Sequence, residues 1–560
     1  MKKTFIWTLA LTGILAGSCT KLEPEFYSQV TPENFFQSEK DILAALNRPF
    51  THANWYLGED RWSLQEYTAD NFAITTKGRH WYNGGENERF HYHKWTPDEG
   101  WIWGTWRGTL MGVALALDTR SDLEKLDYSR FALTPADKDA HINQLNTLMA
   151  YFYLRGLDYF GGMPIFNSLD QESLPRNTDE EVFKHIESIL KEAMTKLKKK
   201  NGGETEEGVL KQAAAASMLA QLYFNAEAYI GKPMYQECLE VSKAIINNEY
   251  GFYALDDNWS GPHSFTNDRS PEVIWSSPSQ FNRLQYNWFY SRFYHYNSRQ
   301  YFNTDMGADN GTHLTPSRKP DGSLYKNVFS LGSPFETFDD GDLRKKPYRF
   351  LGNGRYEGMF ITGAHLSPSG EVIKGGEEYK DQPLVFRDQV ARFSEVGPGK
   401  KYATVADLPS RMSDGEENTG VRPVKVPIPP LSENTLRWGA DNPIIRLTEI
   451  YYMLAECKWR TGDKNGAAEL INMVRKRNFA NQEDPNPATA ANLDAQRFLD
   501  EWSIEFLAEG RRRTDLIRWK MFTTGAWWDH QPSGSAHLNR FPVPTEAISG
   551  NNNLAQNPGY

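Results

Sequence analysis

Residues 447–477 read LTEIYYMLAECKWRTGDKNGAAELINMVRKR, and this stretch decides the fold. Apolar residues recur at three- and four-residue spacing through Leu447–Arg460 and again through Ala467–Arg477, which predicts two amphipathic helices. Gly462 and Asp463 lie between them and predict a tight turn. The segment is therefore a helix–turn–helix unit.

A looser copy of this unit lies upstream at residues 208–248, with a longer inner loop. An amphipathic helix is predicted just before it, over residues 179–198, with Thr178 as its cap. Small residues such as Ala213 and Ala216 allow close helix packing. An Ala-rich first helix, a Gly turn and a second helix resemble a tetratricopeptide repeat. We therefore expect a mainly α fold, a degenerate tetratricopeptide-repeat superhelix.

Between the helical blocks the chain lacks sustained periodicity and is dense in Gly, Pro, Asn, Asp and aromatic residues. Long irregular segments on a rigid frame are where binding surfaces are usually built. We expect long, aromatic-rich loops on the helical scaffold. The predicted division of the chain is a signal peptide 1–18, a lipidated tether 19–30, an N-terminal helical region 31–250, an irregular binding region 251–440 and a C-terminal helical region 441–560.

The N-terminus has the pattern of an export signal. Two lysines precede an apolar run, Phe5–Leu15, and small residues lead to Cys19. The run is shorter than the roughly 20 apolar residues that span a bilayer, so it predicts a cleaved signal peptide. Ala-Gly-Ser-Cys resembles a lipobox, which predicts lipid on Cys19. A plain secretory signal is the alternative.

Charge and hydropathy exclude some functional classes. The net charge is −10 at pH 7, so a basic nucleic-acid-binding surface is not expected. A mean hydropathy of −0.64 and no later stretch of spanning length indicate a water-soluble body. After Cys19 the cysteines are Cys238 and Cys457. Two separate buried thiols are expected, and a disulfide between them is the alternative in an exported protein.

Several separated motifs occur in an order that resembles the SusD/RagB family. Met453 stands where that family usually has leucine. Taken with the lipobox, the matches run from residue 16 to residue 560. The motifs are Tyr159–Pro164 (YFGGMP), Arg446–Glu456 (RLTEIYYMLAE), Ile471–Arg477 (INMVRKR), Glu505–Trp519 (EFLAEGRRRTDLIRW), Phe541–Pro544 (FPVP) and Gln556–Tyr560 (QNPGY).

This resemblance implies a glycan-binding lipoprotein of Bacteroidetes without catalytic activity. It implies location at the outer membrane, on the extracellular face, with the lipid on Cys19 as the anchor. It also implies a partner, a SusC-like TonB-dependent transporter, over whose mouth the protein sits as a lid. No cofactor is implied.

Glu501, Glu505 and Glu509 share one helical face and invite an acid/base interpretation. A glycosidase needs two carboxylates facing each other across a sugar, about 5–9 Å apart, which one face of one helix does not supply. Four arginines follow within Arg511–Arg518, so we expect these carboxylates to pair with them. No catalytic residue is assigned.

His91 and His93 would lie on one side of a strand, with His80, Asp98 and Glu99 nearby. No further spaced His or Cys cluster accompanies them, so no metal ligand is assigned. Binding of a structural calcium ion is left as an alternative, although the sequence contains no recognisable calcium-binding loop. The carboxylates considered for it are Asp98, Asp305 and Asp309.

Aromatic residues make up 13% of the chain, and seven of its 17 tryptophans lie between Trp55 and Trp106. The C–H face of a sugar stacks on indole or phenol rings, while its hydroxyls bind Asn, Asp and Arg. Arg79–Gly85 (RHWYNGG) combines these residue types with glycines that permit an exposed turn. Trp101, Trp103 and Trp106 open a helix and are expected to pack inward. The ligand-binding candidates here are Arg79, Trp81, Tyr82, Asn83 and Trp95.

A second candidate segment is Tyr286–Tyr296 (YNWFYSRFYHY), where polar and aromatic residues alternate. If the segment is extended, Trp288, Tyr294 and Tyr296 share one face, with Arg292 among them. The family resemblance fixes no binding positions, so these candidates rest on composition alone.

The predicted function is capture of an oligo- or polysaccharide and its delivery to the transporter. One alternative is a surface glycoside hydrolase with facing carboxylates in the aromatic cleft. The others are a peptide-binding protein and a purely structural lid of the transporter. The sequence does not indicate which glycan or linkage is bound.

Overall fold

A computed structural model describes residues 35–58, 60–280, 287–304, 308–436 and 439–560. Cys19 and the predicted tether 20–30 lie outside these ranges. The chain divides into two compact units, one ending at Ala45 and the other running Leu46–Tyr560. The helix pairs, the aromatic loops and the site discussed below belong to the second unit.

The fold is mainly α, as predicted, with helices concentrated at the two ends of the chain. The N-terminal helices are α1 Glu39–Gly58, α2 Asp60–Glu66, α3 Glu86–His91, α4 Gly100–Lys125, α5 Pro135–Phe160, α6 Asp179–Lys196, α7 Gln212–Phe224, α8 Ala226–Ile230 and α9 Tyr235–Ile246. The later helices are α10 Pro334–Thr337, α11 Leu447–Arg460, α12 Lys464–Arg475, α13 Ala495–Glu505, α14 Arg512–Arg518 and α15 Thr545–Gly550.

Local sequence explains where these helices begin. Thr178 accepts a hydrogen bond from the backbone N–H of Glu181, and the Glu181 carboxylate accepts one from the backbone of Thr178, a reciprocal cap. Asp463 caps α12 by accepting from the N–H of Gly466. Helix α7 is buried on all sides from Ala213 onward, which is why it is rich in alanine. It packs against α6 and α9, and α9 packs against α11.

The middle of the chain contains short strands, turns and 3-10 helices in place of long helices. Each strand pairs with one antiparallel partner, so the described strands form two-stranded ribbons. The pairs are β1 Phe72–Ile74 with β3 Thr312–Leu314, β2 Val273–Ser277 with β10 Asn442–Arg446, β4 Arg349–Gly352 with β5 Arg355–Glu357, β6 Phe360–Ile361 with β9 Arg422–Pro423, and β7 Gly363–Ala364 with β8 Val385–Phe386.

The glutamates near the end of α13 pair with arginines, as predicted, but not with the arginines that follow them in sequence. Glu501 lies 2.6 Å from Arg475, and Glu505 lies 2.8 Å from Arg344. Both glutamates are buried. Helix α13 ends at Glu505, five residues before Gly510, so the chain turns before those arginines can reach back.

The arginines of Arg511–Arg518 contact other carboxylates, most of them distant in sequence. Arg512 forms a bidentate pair with Asp70, at 2.6 and 2.8 Å, and Arg518 lies 3.0 Å from Glu456. This part of the prediction was wrong because helix α14 points these side chains into the N-terminal half and toward α11. The guanidinium of Arg512 thereby joins segments that are 442 residues apart.

Glu505 is the most heavily engaged of these carboxylates. Burial alone would raise its pKa, but Arg344, Arg446 and Arg477 outweigh that effect and lower the pKa to about 2. Glu509 lies 2.7 Å from Arg446 and also contacts Lys425. The group is a buried ion network with a structural role.

Cys238 and Cys457 are free, buried thiols, as the sequence predicted. They contact each other across the packed helices α9 and α11, and burial together with this contact raises the pKa of Cys457. Among the residues described, none of the helices combines the length and apolar character needed to cross a membrane.

Candidate functional site

A cleft of about 410 Å³ lies among the loops and contains residues from both predicted aromatic segments. Trp81 and Asn83 come from the first segment and Tyr296 from the second. We call this feature the aromatic cleft. Its described lining is Lys77, His80, Trp81, Asn83, Tyr296, Arg299, Ala308, Asp309, Asn310, Glu377, Glu378 and Glu417.

The loop that carries Trp81 has an unusual backbone. Trp81 (φ 67°) and Asn83 (φ 45°) both adopt the left-handed region, followed by Gly84 at φ 61° and Gly85 at φ 81°. This region is costly for a bulky residue and persists where surrounding structure enforces it. The side-chain amide of Asn87 donates to the carbonyl of Trp81 at 2.8 Å and holds the turn. The enforced backbone conformation therefore fixes the direction in which the indole points.

The Trp81 ring rests on the backbone of Gly311. A Cβ atom at Gly311 would lie 3.0 Å from two indole atoms, so a larger residue there would push the ring away. The indole is half-buried against the core beneath it. Trp81 is thus a supported aromatic platform on the wall of the cleft.

Tyr296 is held by a second set of contacts. Its hydroxyl donates to Glu417 Oε1 at 2.8 Å, and its ring centroid lies 4.0 Å from that of His295. Gly376 packs so closely that an added Cβ would lie 2.7 Å from the Tyr296 hydroxyl oxygen. The ring is therefore fixed in position, and it is half-buried.

Glu417 organises this wall. Its carboxylate accepts hydrogen bonds from His295 at 2.9 Å and from the backbone N–H groups of Gly376 at 2.5 Å and Glu377 at 3.0 Å. Burial alone would raise its pKa, but these bonds, with that of Tyr296, lower the pKa to about 2. With both oxygens occupied, Glu417 positions the wall and is not available as a proton donor.

Two further ionisable groups face the cleft with altered pKa values. Burial raises the pKa of Asp309 to about 6, against the lowering effect of the Gly311 N–H and the nearby cations. Burial also holds the pKa of Lys77 well below its ordinary value. Lys77 donates to the carbonyl of Gly311 at 2.8 Å. Lys77 thus helps to fix the backbone at Gly311, beneath the Trp81 indole.

Arg79, His80 and Tyr82 lie at the rim. Arg79 and His80 both contact Glu377, at 3.3 and 3.2 Å. Tyr82 is 58% exposed and does not line the cleft, although it follows Trp81 directly. The first predicted segment therefore supplies one wall of the cleft and its edge.

Trp95 and Tyr294, two of the predicted ligand contacts, are core residues. Trp95 is 5% exposed and donates from its indole nitrogen to the hydroxyl of Tyr560 at 2.9 Å. Tyr294 is 1% exposed, and its ring packs against Phe302 at 5.2 Å. Neither ring offers a face to a ligand in this structure, because both are buried. A segment rich in aromatic residues contributes to the core as well as to the surface.

The second segment is not extended, so the prediction that Trp288, Tyr294 and Tyr296 share a face was wrong. It forms two 3-10 helices, Asn287–Phe293 and Tyr296–Gln300. Tyr294, between them, turns inward while Tyr296 turns toward the cleft. The backbone of Trp288 lies in the first of these helices, but its side chain lies outside the described part of the chain.

Arg292 supports the core below the cleft. Its guanidinium lies 4.0 Å from the centroid of the Phe289 ring and donates to the carbonyl of Gly58 at 3.2 Å. It does not belong to the described lining of the cleft. Arg292 therefore serves packing between the loop and the end of α1.

The histidines considered as metal ligands have other partners. His91 contacts Asp529 at 2.6 Å, and His93 contacts the carbonyl of Thr68 at 2.8 Å. Both rings pack near His530. The expected strand was wrong, because His91 ends helix α3. Across the described ranges, no group of three His, Cys, Asp or Glu side chains is arranged to hold a metal ion. Asp305 lies outside those ranges.

The three tryptophans at the start of α4 differ in environment. Trp106 is 2% exposed, as predicted for an inward-facing residue. Trp101 stacks on Phe90 with ring centroids 4.7 Å apart. Trp103 is half-buried and lines an apolar groove of about 600 Å³ between α4 and α15.

Several residues of the cleft had no signal in the sequence. Arg299 and Asn310, and the acidic residues Glu377, Glu378 and Glu417, come from segments far apart in the chain. Asp309 was considered only as a calcium ligand. In the sequence, the segments Gly375–Glu378 and Asp414–Asn418 have the composition of ordinary acidic turns, so they do not indicate a binding site.

Comparison with known proteins gives the family. Residues 271–560 match the model of the SusD family. The starch-binding protein SusD of Bacteroides thetaiotaomicron is 25% identical over 443 residues, covering 76% of this chain and 74% of the relative. A SusD-like protein of Formosa agariphila is 32% identical over 144 residues, covering 23% of this chain and 27% of the relative.

Solved structures share the fold. A SusD-like protein from Bacteroides fragilis aligns with a TM-score of 0.65 at 18% identity, covering 94% of this chain and 98% of that one. A surface glycan-binding protein A from Bacteroides fluxus aligns with a TM-score of 0.61 at 16% identity, covering 93% and 99%. With more than half of its length matched by the family model and its fold shared by these structures, this chain belongs to the SusD family.

Proposed function

We propose that this protein is a non-enzymatic glycan receptor of the cell surface and that the aromatic cleft is its binding site. Two of its relatives are named for such binding, one a starch-binding protein and one a surface glycan-binding protein. The cleft volume, about 410 Å³, falls in the range of ligand sites in proteins.

The supported indole of Trp81 is the observation that carries this proposal. Its left-handed backbone and the contact with Gly311 hold the ring rigidly on the cleft wall. A rigid ring loses little conformational freedom when a sugar stacks on it. Asn83, Asn310 and Asp309 line the same cleft and offer hydrogen-bonding groups for sugar hydroxyls.

The test begins with a panel of neutral and acidic polysaccharides to find the ligand. Isothermal titration then compares wild type with Trp81→Ala and Tyr296→Ala. Loss of a central aromatic contact costs about 1–3 kcal/mol, so we expect affinity to fall roughly tenfold or more. Trp55→Ala is the matched control, because that exposed indole lies outside the cleft. Wild-type affinity in both cleft variants would remove this site.

Catalysis is the main competing function. Glu417 is fully hydrogen-bonded, and the glutamates of α13 are buried in ion pairs, which supports binding without hydrolysis. Incubation of the purified protein with its best-bound polysaccharide should release no new reducing ends. Release of reducing ends that stops in a Glu378→Gln or Asp309→Asn variant would favour the hydrolase instead. A peptide panel tested on the same protein would identify a peptide-binding member.

The proposal extends to the partner and the anchor. We expect a SusC-like TonB-dependent transporter to receive the glycan, with this protein as its lid, and lipid on Cys19 to hold it on the outer face of the outer membrane. Co-purification with the transporter from detergent extracts tests the first expectation. Radiolabelled palmitate incorporated into wild type but not into Cys19→Ala tests the second; equal incorporation would contradict it.

A further inference from the structure

A second, smaller cavity lies inside the scaffold, between α2, α5 and the loop that follows α13. It measures about 60 Å³, and its wall includes Arg61, Tyr151, Arg155, Gln221 and Glu449. We call it the arginine cavity. None of its lining residues lines the aromatic cleft.

Two guanidinium groups on this wall have neutral hydrogen-bond partners among the described residues. Arg61 is 7% exposed and donates to the carbonyl of Gly510 at 3.3 Å. Arg155 is half-buried and donates to the side-chain oxygen of Gln221 at 2.6 Å. Within the described residues, neither Arg61 nor Arg155 forms an ion pair with a carboxylate, and the Nε atom of each is buried without a hydrogen-bond partner. The Tyr151 hydroxyl beside them is also buried and without a partner there.

The carboxylates on the wall form ion pairs with cations other than Arg61 and Arg155. Glu449 accepts from Arg511 at 2.7 Å and from the amide of Gln221 at 3.0 Å. Glu509, the other acidic residue on the wall, contacts Lys425 and Arg446. The acidic groups on the wall are therefore neutralised by other cations. They do not compensate the positive charges of Arg61 and Arg155.

A buried arginine cannot shed its charge, because the guanidinium stays protonated at any pH that a folded protein tolerates. Buried charges in proteins are therefore paired or bind an ion of opposite sign. Water alone supplies hydrogen bonds but no compensating charge. The cavity is too small for an organic ligand, since one water already takes up about 10–15 Å³ of such space.

From these contacts we propose that the arginine cavity binds a small inorganic anion of the size of chloride. The anion accepts hydrogen bonds from Arg61, Arg155 and the Tyr151 hydroxyl. Arg61 lies on α2, Tyr151 and Arg155 lie on α5, and Gly510 belongs to the segment Glu505–Trp519, so the ion joins the N-terminal helices to that segment.

Bromide substitution tests the site directly. Crystals of the full chain grown or soaked in sodium bromide should give an anomalous bromine peak inside the cavity. A bromine peak confined to the protein surface, or none, would overturn the proposal. This experiment uses the wild-type protein, so it does not depend on whether a variant folds.

Chloride linkage gives a second, solution test. Unfolding is followed in sodium chloride and in sodium gluconate at equal ionic strength. Above the dissociation constant, each tenfold rise in chloride should lower the unfolding equilibrium constant about tenfold, because the ion binds only the folded state. Arg155→Met keeps most of the side-chain volume without the charge and should abolish this dependence.

Arg349→Met is the matched control, because Arg349 is exposed on strand β4 and its ion-pair partner in the described part of the chain is Glu357, at 3.4 Å. It should keep the chloride dependence of wild type. The same chloride dependence in Arg155→Met as in Arg349→Met would contradict the proposal. Glycan binding is not an element of this test, so failure of the arginine cavity and failure of the aromatic cleft are distinguishable.

Discussion

Replacement of Glu505 by glutamine removes the charge at the centre of the buried ion network and keeps the shape of the side chain. Glu505 is 4% exposed and lies 2.8 Å from Arg344 and 3.3 Å from Arg446. Its pKa falls from an ordinary 4.5 to about 2 in the folded protein. At 1.36 kcal/mol per unit, this difference corresponds to about 3 kcal/mol of stability. Breaking a buried ion pair by removing one partner typically costs about 3–5 kcal/mol, which agrees.

The assay is urea unfolding followed by tryptophan fluorescence at pH 7. We expect Glu505→Gln to lose about 3 kcal/mol of unfolding free energy relative to wild type. The matched control is Glu469→Gln, a glutamate on the exposed face of α12, which should change stability by less than about 0.5 kcal/mol. A loss below about 1 kcal/mol in Glu505→Gln would refute the energetic role assigned to the network.

The pH dependence provides an independent check with a definite sign. Because the folded pKa of Glu505 lies below its unfolded value, its stabilisation is fully present above the unfolded pKa. It is lost as the pH falls from 4.5 toward about 2. The stability gap between wild type and Glu505→Gln should therefore narrow between pH 7 and pH 3. A gap that stays constant over this interval would contradict the assignment.

Three further substitutions test separate parts of the structure. Gly162→Ala should destabilise the fold by more than about 3 kcal/mol, or prevent folding, because its Cβ would lie 2.0 Å from the carbonyl oxygen of Asn177; normal thermal unfolding would contradict this packing. Gly311→Ala should displace the Trp81 indole and weaken glycan binding about fivefold in titration, with secondary structure by circular dichroism unchanged. Trp95→Phe should cost about 1–3 kcal/mol in urea unfolding while glycan affinity stays at the wild-type value, since it removes buried ring volume and the hydrogen bond to Tyr560.

The helices that were predicted with bounds, such as α6, α11 and α12, were predictable because each is specified by a short-range pattern. The apolar spacing over Leu447–Arg460 predicted α11 with the bounds that the structure has. Thr178 predicted the start of α6, and the reciprocal bond with Glu181 explains why. These signals lie within a few residues of the element that they define.

The aromatic cleft was only partly predictable, because composition identifies rings but not their orientation. Trp81 and Tyr296 were found, but Tyr294 was placed on the same face as Tyr296 on the assumption of a strand. In a strand, residues two positions apart share a face. The segment instead forms 3-10 helices, which have three residues per turn, so Tyr294 and Tyr296 point in different directions. Glu417 could not be found, because its function arises from bonds to His295 and Gly376, which lie far from it in sequence.

The pairing of Arg512 with Asp70, 442 residues away, has a consequence for biosynthesis. When the N-terminal helices leave the ribosome, Asp70 and Asp158 emerge long before Arg512 and Arg513, which are their ion-pair partners among the described residues. Burying them early is unfavourable, so the N-terminal half should stay loose and vulnerable to proteases until nearly the whole chain has emerged. Such late closure predicts dependence on chaperones during synthesis, measurable as faster degradation of the protein when they are depleted.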